Sequence, residues 1–192
     1  MLVIGIEGSP RKKGNTEQLV STVLEGATDA GATTKFFKLA DMNIDDCISC
    51  YSCKKKGVCA IDDDMHILYD AIQAADAIVL GSPVYFWQVN AIFKRFMDRL
   101  LAFIAPDFST RLNGPKKLLL VYTQGNPDTK KFQAYFDHME KLFSFLHYDV
   151  QGTIVANGTR QHNDILSNQA LLSEARKAGF QIASATANDL HQ

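Results

Sequence analysis

Four cysteines, Cys47, Cys50, Cys53 and Cys59, fall within thirteen residues at the spacing C-x2-C-x2-C-x5-C. Thiolates at three-residue steps let a short looping chain wrap one [4Fe–4S] cluster. In a bacterial ferredoxin run the fourth Cys is followed by Pro and serves a second cluster. Here Ala60 follows Cys59 and no second set exists, so all four thiols would serve one cluster. Zinc is a rival, although structural zinc sites usually set two C-x2-C pairs about a dozen or more residues apart. Free or disulfide-forming thiols without metal are the other rival. In a cytosolic chain of this length a disulfide framework is not expected; spacing alone leaves cluster, zinc and bare thiols open.

Three other short segments carry chemistry. GSPRKKGNT, from Gly8 to Thr16, follows an apolar run and opens a helical pattern. Such a junction offers unpaired backbone N–H groups and a positive dipole end to a phosphate. Ser9 and Thr16 add hydroxyls, Asn15 an amide and Arg11 a charge. It is neither a Walker loop, since Asn15 stands where Lys is needed, nor a G-x-G-x-x-G fingerprint. The plain alternative is a tight turn with solvated basic residues. GSPVYFW, from Gly81 to Trp87, sets three aromatics in a row, suited to a flat aromatic ligand or to a subunit interface, or to both. Thr123, Gln124, Gly125 and Asn126 supply polar groups and a flexible glycine, suited to a ring edge or a sugar-like chain.

The elements that must position these segments alternate between strand and helix. Leu2 to Glu7, Thr33 to Leu39, Ala77 to Leu80, Lys117 to Thr123 and Val150 to Val155 read as five strands. Helices are expected from Asn15, as N-cap with Gln18 in a capping-box position, to Ala30, and from Asp63 or Asp64 with Ile67, Leu68, Ala71, Ile72 and Ala75 inward. Further helices are expected over Asn90–Ile104, Asp128–His147 and Asp164–Ala187. This alternation specifies an α/β domain with a parallel sheet. In strand order 2-1-3-4-5, strands one, three and four are neighbours, and ligands bind beyond their carboxyl ends. The three loops above lie at those ends. A phosphate loop, an aromatic loop and a polar loop side by side fit a phosphorylated flat cofactor, and FMN has that shape.

The 192 residues, with no internal repeat, suit one domain, 1–192, with a cysteine-rich loop at 41–62. The formal charge of −1 argues against nucleic acid as the main partner, and no apolar run approaches the roughly 18 residues of a membrane span. The start, MLVIGIEGSPR, reads as a strand rather than a signal peptide, so a cytoplasmic protein is expected. His66, His138, His147, His162 and His191 lack metal-ligand spacing and read as surface or core side chains. Asp62, Asp63 and Asp64 read as carboxylates opening a helix, and Phe132, Phe136, Leu142 and Phe145 as a core stripe. No hydrolytic triad is evident, and a flavin would carry the chemistry itself.

GSPRKKGNT, GSPVYF and VYTQG together resemble the flavodoxin-like NAD(P)H-dependent FMN reductase superfamily. CISCYSCKKKGVCAIDDDM and AIFKRFMDRL are similar to its iron–sulfur flavoprotein branch. The resemblance covers roughly residues 1 to 126, and the last third only by its strand–helix pattern. It implies a flavodoxin-like three-layer sandwich with noncovalent FMN. Ser9, Arg11, Asn15 and Thr16 would hold the phosphate. Pro83, Val84, Tyr85 and Phe86 would line the isoalloxazine, with Thr123, Gln124, Gly125 and Asn126 opposite. It also implies a homodimer or homotetramer with the flavin near the interface.

The function expected is an FMN-dependent oxidoreductase coupling a [4Fe–4S] cluster on Cys47, Cys50, Cys53 and Cys59 to the flavin, linking a ferredoxin-type donor to a small-molecule acceptor. One alternative is a cluster-free NAD(P)H-dependent FMN, quinone or azo reductase. Another is a non-enzymatic redox carrier or sensor.

Overall fold

The computed structural model describes residues 1–184. Five long strands, β1 (Leu2–Glu7), β2 (Thr33–Lys38), β3 (Ala77–Tyr85), β5 (Lys116–Thr123) and β6 (Tyr148–Ala156), run parallel in the order β2-β1-β3-β5-β6. This is the expected 2-1-3-4-5 order of a flavodoxin-like fold. A sixth, two-residue strand, β4 (Gln88–Val89), folds back antiparallel on the end of β3. The central strands read as unbroken apolar runs because both faces are covered. Alternate residues serve opposite sides of the sheet. Ile4, Ile6, Ile78, Leu80, Leu118 and Leu120 join one core, whereas Val3, Ala77, Val79, Leu119 and Val121 join the other.

The second core is closed by α1 (Asn15–Asp29) and α6 (Gln169–Ala183). These helices touch backbone to backbone. A Cβ on Gly26 would stand 1.9 Å from the Arg176 carbonyl oxygen, and one on Gly179 would stand 1.8 Å from that of Val23. Both glycines are therefore obligatory for this crossing. The first core is closed by α3 (Met65–Ala74), α4 (Ala91–Arg99) and α5 (Gln133–Phe145). A single turn of helix, α2 (Ser52–Lys56), lies in the cysteine segment.

Several local expectations are corrected. The N-cap position of α1 is Gly14, not Asn15, and Asn15 is the first helical residue, its side chain directed elsewhere. Strand β3 runs on through Gly81 to Tyr85, because Ser82 to Tyr85 stay paired to β5 or β4 rather than forming a loop. Ile67 is exposed, and α3 buries Met65, Leu68, Tyr69 and Ile72 instead. In α5 the buried face is Phe136, Met139 and Phe143, a spacing of three and four. Phe145 lies two residues past Phe143, so the helical turn carries it to the opposite, solvent side. Helix α5 starts at Gln133 because residues 129–132 form turns, and α4 gives way to a 3-10 turn, Leu100–Phe103. The last helix is preceded by a 3-10 turn, Asp164–Ser167. The expected extension of α6 to Ala187, and His191, lie outside the described residues.

Candidate active site at the strand ends

The first buried strand ends at Glu7, and the amide of Gly8 donates to the Gly81 carbonyl of β3 at 2.9 Å. This bond carries the β1–β3 pairing one residue past Glu7, and residues 8–14 then form the loop to α1. Asn90, whose side chain accepts from the Phe93 amide as the N-cap of α4, also donates from Nδ2 to the Gly8 carbonyl at 2.6 Å. Beneath the loop, Glu7 is fully buried and its Oε2 accepts the Ser9 amide at 2.8 Å. Its Oε1 has no hydrogen-bond partner among the described residues, and Lys38 Nζ stands 3.8 Å away. Burial pushes the Glu7 carboxyl up to about 7, against the pull of the Ser9 amide and Lys38.

A cavity of about 290 Å³ opens above this loop. Ser9, Arg11, Asn15, Thr16, Pro83, Val84, Tyr85, Thr123 and Gly125 all line it. Nine of the twelve expected cofactor residues are thus brought to one place. The hydroxyls of Thr16 and Thr123 join across it at 2.7 Å. Among the described residues, the amides of Asn15, Thr16 and Glu17, at the start of α1, donate to no backbone carbonyl. Such amides, with two hydroxyls and an arginine, form a donor set that fits a phosphate.

The other three stand apart from the cavity wall. Phe86 sits with Trp87 at the tip of the β3–β4 hairpin, and both have positive φ, 45° and 68°, as a two-residue type I′ turn requires. Phe86 is 93% exposed there. Gln124 is buried, and its amide donates to the Asp128 carbonyl and to Asn157. Asn126 accepts the Asp128 amide with its side chain. Thr159 and Arg160 line the cavity and were not expected. They follow β6, the strand beside β5, so the rule that ligands sit at parallel strand ends pointed to them as well.

The cysteines occupy a different setting. Cys47 and Cys50 are exposed, and Cys53 and Cys59 are half-buried against the first core. Ser49 and Tyr51 adopt left-handed backbone conformations at φ 51° and 55°. Arg111 Nη1 and Nη2 donate to the carbonyls of Cys53 and Lys54 at 3.0 and 3.1 Å. At the base of this segment Arg99 forms a two-pronged, buried ion pair with Asp63, at 2.6 and 3.0 Å. Burial opposes ionisation of Asp63, but Arg99 and the amides of Asp45 and Met65 hold its carboxyl below the ordinary range. Asp63 therefore does more than open α3. Four thiols in thirteen residues suit an iron–sulfur cluster in kind and number. Among the described residues, however, no group of three His, Cys, Asp or Glu side chains stands together as a metal site, so the thiols do not converge in this conformation. Cys47 and Ser49 also rim an apolar cavity of about 520 Å³ beside α4 and α5.

The NADPH-dependent FMN reductase family matches residues 1–158. An iron–sulfur flavoprotein of Methanocaldococcus jannaschii is 48% identical over 99 residues, 52% of this chain and 51% of that protein, so the chain spans only about half of that relative. An iron–sulfur flavoprotein of Methanosarcina thermophila is 29% identical over 190 residues, covering 99% of this chain and 93% of that protein. In fold, the chain is similar to an NAD(P)H:quinone oxidoreductase from Methanothermobacter marburgensis, with TM-score 0.79 at 16% identity over 97% of this chain and 98% of that one. It is also similar to an FMN-dependent NADH-azoreductase from Bacillus anthracis solved with FMN, with TM-score 0.73 at 14% identity over 96% and 100% of the two chains. The phosphate-type donor set and the family match lead to one conclusion: the chain belongs to the NADPH-dependent FMN reductase family, and it is similar in sequence to iron–sulfur flavoproteins.

Proposed function

We propose that the protein is an FMN-dependent oxidoreductase, one FMN-binding unit whose flavin sits noncovalently in the strand-end cavity. The observation that carries this reading is the donor set at the start of α1: unpaired amides of Asn15, Thr16 and Glu17, the hydroxyls of Ser9 and Thr16, and Arg11. FMN, when bound, supplies the hydride and single-electron chemistry. The chain's own part is to bind and orient. The α1 amides and Arg11 take the phosphate, and Thr16 is held in place by Thr123. Pro83, Val84 and Tyr85 give the wall for the ring, with Thr123 and Gly125 beside it. Phe86, Gln124 and Asn126 act from outside the cavity wall, Gln124 by fixing the turn at Asp128.

The finer reading is that Cys47, Cys50, Cys53 and Cys59 hold one [4Fe–4S] cluster. Their spacing and the names of the relatives support it, and the segment must close around the cluster for the thiolates to meet. A ferredoxin-type donor, or NAD(P)H, and a small-molecule acceptor complete the reaction. The exposed Phe86 and Trp87 favour a homodimer or homotetramer, in which a partner covers them. Clustered free thiols favour a cytoplasmic setting. Among the described residues no helix is long and apolar enough to cross a membrane.

Anaerobic purification tests both levels. Chromatography of the extracted cofactor should show FMN rather than FAD. Arg11→Ala and Thr16→Val should weaken FMN more than riboflavin, because only FMN offers the phosphate; equal losses would remove these residues from the site. Iron and sulfide with a low-temperature EPR signal should accompany the flavin. About one zinc without iron, or neither metal, would leave the cluster-free NAD(P)H-dependent reductase as the better reading. Flavin without turnover of any acceptor would leave a redox carrier.

A further inference from the structure

The match to the family ends at residue 158, and at that point the chain does something that the three expected loops do not. Residues 157–161 cross the mouth of the cavity as a strap tied on both sides. On one side, the amides of Gly158 and Thr159 donate to the carbonyls of Asn126 and Gln124 at 3.1 and 2.9 Å, and Arg160 Nε donates to the Gly125 carbonyl at 2.8 Å. On the other, Arg11 Nη1 donates to the Arg160 carbonyl at 2.9 Å and Asn15 Nδ2 to the Gln161 carbonyl at 2.8 Å. Asp164 locks the strap from behind, its Oδ2 accepting the amides of Arg160 and Gln161, each at 2.7 Å.

Two guanidinium groups are thereby aimed at one cavity, each anchored by a neutral carbonyl. Among the described residues, neither Arg11 nor Arg160 has a carboxylate within ion-pair distance. Asp164 spends its charge on backbone amides. Two cations lining one cavity without a carboxylate counter-ion favour an anionic ligand there, a doubly charged one most of all. The stem of Arg160 also lies across Gly125, where a Cβ would come within 3.3 Å of its Cγ and press on the arm.

We propose that Arg160 is a specificity-determining residue. Paired with Arg11 through the strap, it selects a terminal phosphomonoester dianion, and so FMN over riboflavin, which has no phosphate. The proposal rests on the reading that the cavity holds FMN. The strap follows β6, so the selection adds a residue from the last strand end to the donors of the phosphate loop.

The test is flavin titration of the full-length apoprotein, followed by quenching of flavin fluorescence, with FMN and riboflavin in parallel. Loss of one charge-assisted contact predicts that Arg160→Ala weakens FMN by about 10- to 100-fold. Riboflavin should change by less than about 2-fold, and the FMN loss should shrink in high salt. Arg160→Gln keeps a donor for the Gly125 carbonyl but no charge, and should lose the same FMN preference. If both flavins weaken equally in Arg160→Ala, the strap acts only as a brace and the proposal is overturned. An unchanged FMN-to-riboflavin ratio overturns it too, while wild-type FMN binding shows that the flavin reading stands. Wild-type protein that binds no FMN fails both together.

Discussion

The strand-end cavity and the cysteine segment each gather several candidate ligands, and the fold treats them in opposite ways. The cavity is made by backbone. Four strand ends fix its floor, and Asn90, Arg11, Asn15 and the 157–161 strap stitch its loops to one another. Its donors converge in the protein alone. The cysteine segment has one turn of helix, left-handed residues at Ser49 and Tyr51, and two thiols facing solvent. What holds it is a small set of tethers, Arg111 at its middle and the Arg99–Asp63 pair at its base. A site whose ligands leave from a parallel sheet is organised by the same forces that fold the sheet. A site whose ligands lie in one irregular stretch takes its final shape from what it binds.

The largest expected effect lies at the hinge between these regions. Arg99→Met leaves the Asp63 carboxylate buried without its cation, which costs about 3–5 kcal/mol. Thermal unfolding should drop by about 10 °C or more. Flavin content of the fraction still folded at 20 °C should be that of wild type. Loss of flavin at that temperature would show that the anchor of the cysteine segment also shapes the cavity, and the contrast between the regions would fall.

A smaller effect sharpens the picture of the cavity. Glu7 has its carboxyl raised from 4.5 to about 7 by burial, opposed by the Ser9 amide and Lys38 and reinforced by Glu17 and Asp41. The folded state therefore binds this proton more tightly than the unfolded state does. Its stabilising contribution is complete below about pH 4.5 and is lost as pH rises to about 7, a span of about 3 kcal/mol. Glu7→Gln keeps an oxygen for the Ser9 amide and removes the titration. Denaturant unfolding at pH 5 and pH 8 should show that slope in wild type and a flatter one in the variant, which should be the more stable at pH 8. Parallel slopes would mean that Glu7 binds its proton equally in the folded and unfolded states.

The same contrast decides what could be read from residues alone. The sheet order followed from alternating apolar runs, because Leu2–Glu7 and Lys116–Thr123 are buried on both faces and advertise it. The meeting of the three loops followed from strand order, since strand ends bring loops together wherever the side chains turn, and the nine cavity residues on them followed from the resemblance to the family. The misses are long-range. Arg160 meets Arg11 across 149 residues of sequence and Gly125 across 35, Thr159 meets Gln124 across 35, and no local pattern encodes those meetings. Asp63 reads as a helix-opening carboxylate, and its partner Arg99 is 36 residues away. Phe86 was assigned to the wall with its neighbours, but a hairpin turn reverses the chain at that residue and turns it out.

The smallest expected effect bears most directly on the contrast. Replacing Cys47, Cys50, Cys53 and Cys59 together by Ser removes every thiolate and should abolish bound iron. Cys47 and Cys50 are exposed and contribute little packing; Cys53 and Cys59 are half-buried, and their loss costs about 1 kcal/mol between them. None of the four lines the strand-end cavity. FMN affinity should therefore stay within about 2-fold of wild type, since a change of 0.4 kcal/mol is about 2-fold. The comparison is made on anaerobic protein, with iron and flavin counted in the same sample. Iron lost with flavin retained means that the two sites are built independently, one by the sheet and one by its ligand. Flavin lost along with iron means that cluster and cavity form one cooperative unit, with the cysteine segment closing toward the strand ends as it binds.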